Sequence, residues 1–413
     1  MNQVESEVDI LILGAGPGGC GCALTLGQTP LNVLMLDKAT FPRDKICGDA
    51  VSGKVLGVMK YINPELTSAT QEFSKKLGTW GIRFFAPNGK ELDVPFKLEQ
   101  KPSGAAAPGF ISKRLDFDHF LYQQVKSRTS TRIVEGVHVS KVEREEDGIR
   151  LSDGKQSWKA KLVIAADGAH SIVAKKLASF KVEKQHYSAG IRAYYSGVTG
   201  FHPDHFIELH YIQSLLPGYF WIFPLPNGWA NVGLGMLSAD VSRHKVNLKK
   251  QLHEIIATHP SIAARFQHAS KQGPIQGFGL PLGSKKRSIS GDRFMLVGDA
   301  ASLIDPFSGE GIGNAMISGR IAAQIAQKSF ESMDFSAENM QTYDQAVYKK
   351  IGAELRLSHH MQKMVNYPRM FNFVVNRTRK NEALRKMMTM MFDNLDIRKE
   401  LRKPSFYWKV LWG

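Results

Sequence analysis

Cysteine is scarce in this chain. Three stand among 413 residues, Cys20, Cys22 and Cys47, too few for a disulfide framework, so a reducing, cytoplasmic compartment is the expected location. No further Cys/His set completes a site with them and no His-Glu-x-x-His pattern occurs, so no metal is expected. His359-His360 is expected as an exposed pair on a helix. No apolar run approaches the ~20 residues that span a bilayer. The opening Met1-Asn2-Gln3-Val4-Glu5-Ser6-Glu7 is too polar and acidic for a signal peptide. Internal repeats and low-complexity linkers are lacking. The net charge is +16, yet no nucleic-acid module accompanies it, and no nucleic-acid partner is expected.

What is present suits a large α/β enzyme: 43% hydrophobic residues and 37 glycines in a chain long enough for more than one core. Val8-Asp9-Ile10-Leu11-Ile12-Leu13 reads as a buried parallel strand. Gly14-Ala15-Gly16-Pro17-Gly18-Gly19 follows, then a small-residue helix to about Gly27, holding Cys20 and Cys22 as packing residues. Asn32-Val33-Leu34-Met35-Leu36 is the next strand, with Asp37-Lys38 at its end. Strand, glycine turn, helix, strand and acid stand in the order of a dinucleotide fingerprint. Gly14 permits the tight turn, Gly16 the approach of a pyrophosphate, and Gly19 close helix–strand packing. Asp37 is placed to accept hydrogen bonds from a ribose.

A second device lies almost three hundred residues later. Phe294-Met295-Leu296-Val297 is a short buried strand, Gly298-Asp299 ends it, and Pro306, Gly309, Gly311 and Gly313 lead into a helix with Ile312 in its first turn, running to about Gln327. Asp299 is placed to bind a polyol hydroxyl. The helix N-terminus is placed to stabilise negative charge on a reduced flavin ring. No second fingerprint of the first kind appears, and no redox Cys pair, so a two-Rossmann disulfide reductase is disfavoured. One long cofactor held at two places is expected, and FAD fits best.

Two more pieces join this domain. Lys161–Ala165 is a strand closing on Ala166-Asp167-Gly168, and Arg114 opens a helix from which its guanidinium is expected to reach a phosphate or ribityl group. The segments 77–104 and 186–284 differ in character. Stretches such as His205-Phe206-Ile207-Glu208-Leu209-His210-Tyr211 alternate with period two, which predicts antiparallel strands. The fold expected is a Rossmann-like FAD-binding domain (1–76, 105–185 and 285–336), an inserted antiparallel β-sheet substrate domain (77–104 and 186–284) roofing the flavin, and a C-terminal helical region (337–413).

On these residues the chain resembles the geranylgeranyl reductase family, within the wider group of flavin hydroxylases typified by para-hydroxybenzoate hydroxylase. Gly14-x-Gly16-x-x-Gly19, Asp167-Gly168 and Gly298-Asp299 with its glycine helix mark the wider group. Phe41-Pro42-Arg43-Asp44-Lys45-Ile46-Cys47-Gly48 and Pro217-Gly218-Tyr219-Phe220-Trp221-Ile222-Phe223-Pro224, followed by Asn231-Val232-Gly233-Leu234-Gly235, resemble the narrower family. Flavin halogenases carry a variant of the second stretch. The resemblance places the Cys47 loop beside the isoalloxazine, where the thiol is either a proton donor in contact with the flavin or a small apolar filler. Arg43 and Lys45 are either neutralisers of flavin or nicotinamide phosphate or ordinary surface charges. Tyr219, Trp221 and Phe223 share one sheet face, either as the wall of an apolar pocket or as packed core. Cys47, Tyr219 and Trp221 are the candidate catalytic residues.

From Arg369 onward there are eleven Lys/Arg against four Asp/Glu, a net +7. Leu384, Met387, Met388, Met391 and Leu395 recur at helical spacing among Arg385, Lys386, Arg398 and Lys399. Pro404 ends the pattern, and Phe406-Tyr407-Trp408 follow. This tail is either a peripheral anchor on the inner membrane face or a helix docked on its own protein. The family resemblance implies FAD-dependent hydride transfer to C=C bonds of a prenyl lipid, with NAD(P)H or another reductant as a transient donor. The alternatives are a flavin monooxygenase or halogenase acting on an apolar or aromatic molecule, and a non-catalytic electron-transfer flavoprotein serving a membrane partner.

Overall fold

The computed structural model describes residues 5–97 and 104–392. It is built around two large sheets. The first has Glu5–Leu13 at its centre, flanked in parallel by Ser157–Ala165 and Val33–Leu36. Phe294–Leu296 extends it in parallel beyond Ser157–Ala165, and Arg132–Val134 beyond Val33–Leu36. These strands are apolar on both faces because both faces are buried in one core. Ile10, Leu11, Ile12, Leu162, Val163 and Ile164 are fully buried. A hairpin of Lys141–Arg144 and Ile149–Ser152 is added antiparallel to Ser157–Ala165.

The helix Pro17–Leu26 lies on this sheet beneath the long helix Ile312–Ser332, which runs slightly beyond the expected Gln327. The two cross with almost no side chain between them. A Cβ on Gly319 would stand 2.1 Å from the Gly18 carbonyl oxygen. Backbone contact at this crossing joins the two glycine devices, far apart in sequence, into one body. Cys20 and Cys22 are fully buried here, and burial pushes both thiols far above their ordinary pKa.

The second sheet has seven strands: Ser270–Pro281, Tyr187–Ser196, Trp229–Leu237, Tyr219–Leu225, Ile207–His210, Gly81–Phe85 and Glu91–Pro95, in that spatial order. It departs from the expected antiparallel sheet at one pair, since Ile207–His210 runs parallel to Gly81–Phe85. More than a hundred residues separate these strands, so no hairpin dictates their direction. Leu77–Thr79 stays out of this sheet and pairs with Gly109–Ile111, which also pairs with Ala50–Val51. Phe220 and Ile222 face away from the first sheet into a core with Leu252 and Ile255 of the helix Leu248–Thr258. Trp221 and Phe223 face inward.

The chain ends, among described residues, in the helices Ala337–Met364, Pro368–Lys380 and Glu382–Phe392. Met388 is buried, and Met387 partly buried, against Phe371, Val375 and the inner face of the second sheet. This part of the methionine pattern therefore docks on its own protein. Leu395, Arg398, Lys399 and Phe406-Tyr407-Trp408 lie outside the described residues. His359 and His360 are on a helix, as expected, but only His360 is exposed. His359 is half-buried, its ring 6.3 Å from that of His186. No helix among the described residues is long and apolar enough to cross a membrane.

Candidate functional site

A single cavity of about 1000 Å³ runs between the first sheet and the inner face of the second. Its volume is at the upper end for small-molecule sites. Two helix N-termini open onto it. Gly16, Pro17 and Gly18 line it at the start of Pro17–Leu26, and Gly311 and Ile312 at the start of Ile312–Ser332. Neither helix has a side-chain cap. The unpaired N–H groups and the positive ends of both dipoles therefore face the cavity rather than a capping residue, an arrangement suited to an anionic group.

The backbone explains the first grip. Gly14 has φ +104°, and a Cβ there would meet the Ala166 carbonyl oxygen at 2.4 Å. A Cβ on Gly19 would stand 1.9 Å from the Gly14 oxygen, so Gly19 sets helix against strand and does not line the cavity. Gly16 differs, because a Cβ there would meet only the Arg43 guanidinium at 3.6 Å and would project into the cradle. Asp37 ends its strand with Oδ2 accepting from Ala15 N at 2.7 Å and Oδ1 from Ala39 N at 2.8 Å. Each oxygen keeps a lone pair for a ribose hydroxyl. Lys38 lines the cavity beside it.

Asp167 and Gly168 reach the same space. Asp167 Oδ2 accepts from Ile172 N at 2.8 Å, while Oδ1 is buried without a hydrogen-bond partner. Burial raises this carboxyl to about 6, against hydrogen bonds that lower it. At the second grip, Gly298 has φ +61° and Asp299 points toward Lys45, Oδ2 to Nζ 3.3 Å. Gly309, with φ +73°, packs under the Tyr219 hydroxyl, which donates to Ser308 O at 3.0 Å.

Among the expected second-grip residues, Gly313 does not line this cavity, and neither does Pro306. It borders a separate pocket of about 50 Å³ behind the turn. The Asp305 carboxylate accepts from Phe307 N at 3.0 Å and Ser308 N at 2.8 Å. This Asx turn directs the proline ring away from the cradle.

The expected arginines behave differently from each other. Arg114 is buried, and its guanidinium makes a bidentate contact with Asp118, at 2.6 and 2.7 Å. Burial opposes its charge, but Asp118 and then the Cys47 thiol outweigh burial and hold its pKa above the ordinary value. Asp118 thus engages Nε and Nη2, while Arg114 still lines the cavity. Arg43 shares Asp118 at 2.6 Å but remains partly exposed at the cavity wall.

The other half of the cavity is apolar. Ile82, Phe96, Ile207 and Leu209 line it with Trp221 and Phe223. Gly48 presses its loop against this wall, since a Cβ there would lie 2.7 Å from the Phe223 ring. Cys47 is half-exposed to the cavity. Tyr219 is forced above its ordinary pKa by burial, with smaller contributions from Asp305 and Cys47. The Trp221 indole N–H is committed to Asn231 Oδ1 at 3.0 Å.

Sequence reasoning missed two groups. Asp49 and Asn231 are fully buried and bonded to each other at 2.8 Å. Lys54 is buried between Glu310 and Glu354, tying the second grip to the helix Ala337–Met364. Asp49 immediately follows the Cys47-Gly48 stretch, but nothing in its local sequence distinguishes a buried acid from a surface one.

The residues fit FAD on the structure's own terms. Two uncapped helix N-termini, an acid with free lone pairs, an unpartnered carboxylate oxygen and a glycine cradle all meet in one elongated cavity. Residues 7–324 match the FAD binding domain family. A digeranylgeranylglycerophospholipid reductase of Thermoplasma volcanium is 30% identical over 347 residues, covering 82% of this chain and 83% of that protein. A menaquinone reductase of Mycobacterium tuberculosis is 27% identical over 411 residues, covering 95% and 92%. The crystal structure of a geranylgeranyl bacteriochlorophyll reductase-like protein of Thermoplasma acidophilum has a TM-score of 0.78 at 23% identity, covering 96% of this chain and 99% of that one. A flavin-dependent brominase has a TM-score of 0.77 at 19% identity, covering 98% of both chains, and shares the fold. With its cradle, its sheet order and most of its length accounted for in this way, the chain belongs to the FAD binding domain family and, within the para-hydroxybenzoate hydroxylase-like superfamily, to the geranylgeranyl reductase group of FAD-dependent oxidoreductases.

Proposed function

We propose that this oxidoreductase saturates C=C bonds in the prenyl chain of a lipid, a quinone or a glycerophospholipid. The observation that carries the reading is the continuity of the cavity, polar at the two glycine grips and apolar under Ile82, Phe96, Ile207, Leu209, Trp221 and Phe223. Burial at ~0.8 kcal/mol per CH₂ would supply much of the binding energy for a long chain. The relatives named as reductases of a prenyl glycerophospholipid and of menaquinone support the same reading.

FAD would be held by Gly14, Gly16, Pro17, Gly18, Asp37, Lys38, Arg43, Asp167 and Gly168 at one end and by Gly298, Asp299, Gly309, Gly311 and Ile312 at the other. When bound, it supplies the hydride. The chain's own residues place the double bond, exclude water and deliver the proton, because an isolated alkene is a poor acceptor unless held and protonated in place. Cys47 is the proton donor in this reading, facing the chamber beside the Arg114 guanidinium. Tyr219 and Trp221 form the wall, with their polar hydrogens already engaged. Lys45, Lys38 and Lys175 at the cavity wall suit a transient NAD(P)H donor.

Lipid uptake would take place at a membrane surface. Tyr367, Met370 and Phe373 are 65%, 46% and 68% exposed. The helix Pro368–Lys380 carries Arg369, Arg377, Arg379 and Lys380 and no acid, a composition suited to an anionic lipid surface.

The test is anaerobic. Flavin-loaded protein, reduced chemically, is mixed with menaquinone or an unsaturated prenyl glycerophospholipid, any quinol is reoxidised after the protein is removed, and the lipid is weighed by mass spectrometry. A gain of two hydrogens per bond is expected. Turnover that requires oxygen and inserts it would replace this reading with the monooxygenase one. Flavin oxidation by a protein or quinone acceptor with no change in the lipid chain would indicate electron transfer alone.

A further inference from the structure

The Cys47 loop and the inner face of the second sheet belong to different parts of the chain, yet one side chain joins them. Asn231 is fully buried on the strand Trp229–Leu237. Its Nδ2 donates to Cys47 O at 2.7 Å and to Asp49 Oδ2 at 2.8 Å, and its Oδ1 accepts from Trp221 Nε1 at 3.0 Å. Both amide hydrogens and the carbonyl are thus engaged.

Asp49 closes the joint from the other side. Its Oδ2 also accepts from the Tyr194 hydroxyl at 2.8 Å, and its Oδ1 from Arg114 N at 3.3 Å. Ser112 N donates to its carbonyl at 3.0 Å. The residue sits at φ +71°, a left-handed conformation that a non-glycine residue keeps only where its surroundings hold it. The surrounding charges are Arg192 and Asp44.

We propose that Asn231 and Asp49 are positioning residues that clamp the Cys47 loop to the Tyr219–Leu225 strand and so set the place of the thiol beside the Trp221 and Phe223 wall. The two residues act through Cys47 and Trp221. The proposal rests on the chamber reading given above, but its test does not depend on turnover alone.

The experiment compares flavin-loaded wild-type protein with Asn231→Ala. The first readout is the rate at which iodoacetamide alkylates Cys47, followed by peptide mass spectrometry, with buried Cys20 and Cys22 as internal references. Loss of two hydrogen bonds to the loop is expected to speed alkylation about tenfold. The second readout is prenyl-lipid turnover. A misplaced group is expected to lower kcat by about a hundredfold while KM for the reductant stays constant. Tyr194→Phe, which removes one hydroxyl bond to Asp49 from outside the cavity wall, is expected to speed alkylation severalfold and serves if Asn231→Ala does not fold. Faster alkylation without any wild-type lipid turnover would uphold the clamp and remove only the prenyl reading. Alkylation within twofold of wild type in the folded variants would overturn the clamp.

Discussion

The two ends of the cavity are built from different material. The grip end is made by backbone: glycines at Gly14, Gly16 and Gly19, uncapped helix starts, and one acid that braces the loop. The chamber end is made by side chains: an apolar wall and a buried polar clamp of Asn231, Asp49, Tyr194 and Trp221. Backbone devices tolerate almost no added atoms where chain meets chain, but leave the identity of the ligand's far end open. Side-chain devices tolerate substitution better and decide what is bound there. On the proposed function, the cofactor is specified at one end and the substrate at the other.

Substitutions can break this contrast. Gly19→Val places atoms where only 1.9 Å separates a Cβ from the Gly14 oxygen, and is expected to cost more than about 4 kcal/mol and abolish flavin uptake. The flavin absorbance of purified protein and its urea unfolding would check this. Phe223→Ala removes a large side chain at the chamber wall that is only 8% exposed. It is expected to cost about 3–4 kcal/mol yet leave flavin content intact. Loss of flavin in Phe223→Ala would mean that the two ends are not separable.

Titration gives a third expectation. Burial raises the Asp49 carboxyl to about 6, against Asn231, Tyr194 and Arg192, which lower it. Below pH 3.8 the folded and unfolded chains both hold the proton. As pH climbs toward 6 the unfolded chain releases it first, so stability falls across this window, by about 3 kcal/mol on this group's account. Asp167, raised to about 6 by its own burial, adds a slope of the same sign at the grip end. Asp49→Asn is therefore expected to lessen the fall between pH 4 and 6 without removing it, as read by denaturant midpoints across pH. An unchanged slope would show that folding does not raise the Asp49 carboxyl.

The smallest effect on folding sharpens the contrast most. At Gly16 a Cβ meets no backbone, and its nearest neighbour is Arg43 at 3.6 Å. Gly16→Ala is expected to change stability by less than about 0.5 kcal/mol, while weakening FAD binding about tenfold by filling the cradle. Titration calorimetry beside thermal unfolding would separate the two quantities.

The same division explains what could be read from the sequence. Gly14, Gly16 and Gly19, Asp37 and the Gly298-Asp299 turn were legible because each follows directly from a strand, and the backbone needs that residue type at that step. The period-two strands of the second sheet were legible from their alternation. Its parallel pair was not, because direction there is decided by chain segments more than a hundred residues apart. Pro306 was drawn into the site by adjacency, and the Asp305 Asx turn takes it out. Arg114 stands at a helix start and at the cavity wall, as its position in sequence suggests, but its bidentate contact with Asp118, one turn on, was not legible. Asn231 and Asp49 were invisible as a pair, since nothing in sequence brings together residues 182 positions apart.

The measurement that bears most directly on the account is the mass of the lipid, with any quinol reoxidised, after anaerobic incubation with the reduced, flavin-loaded protein. The account predicts product heavier by two hydrogens for each bond saturated, with the flavin oxidised in step. Lipid of unchanged mass beside flavin that stays reduced until oxygen is admitted would contradict it.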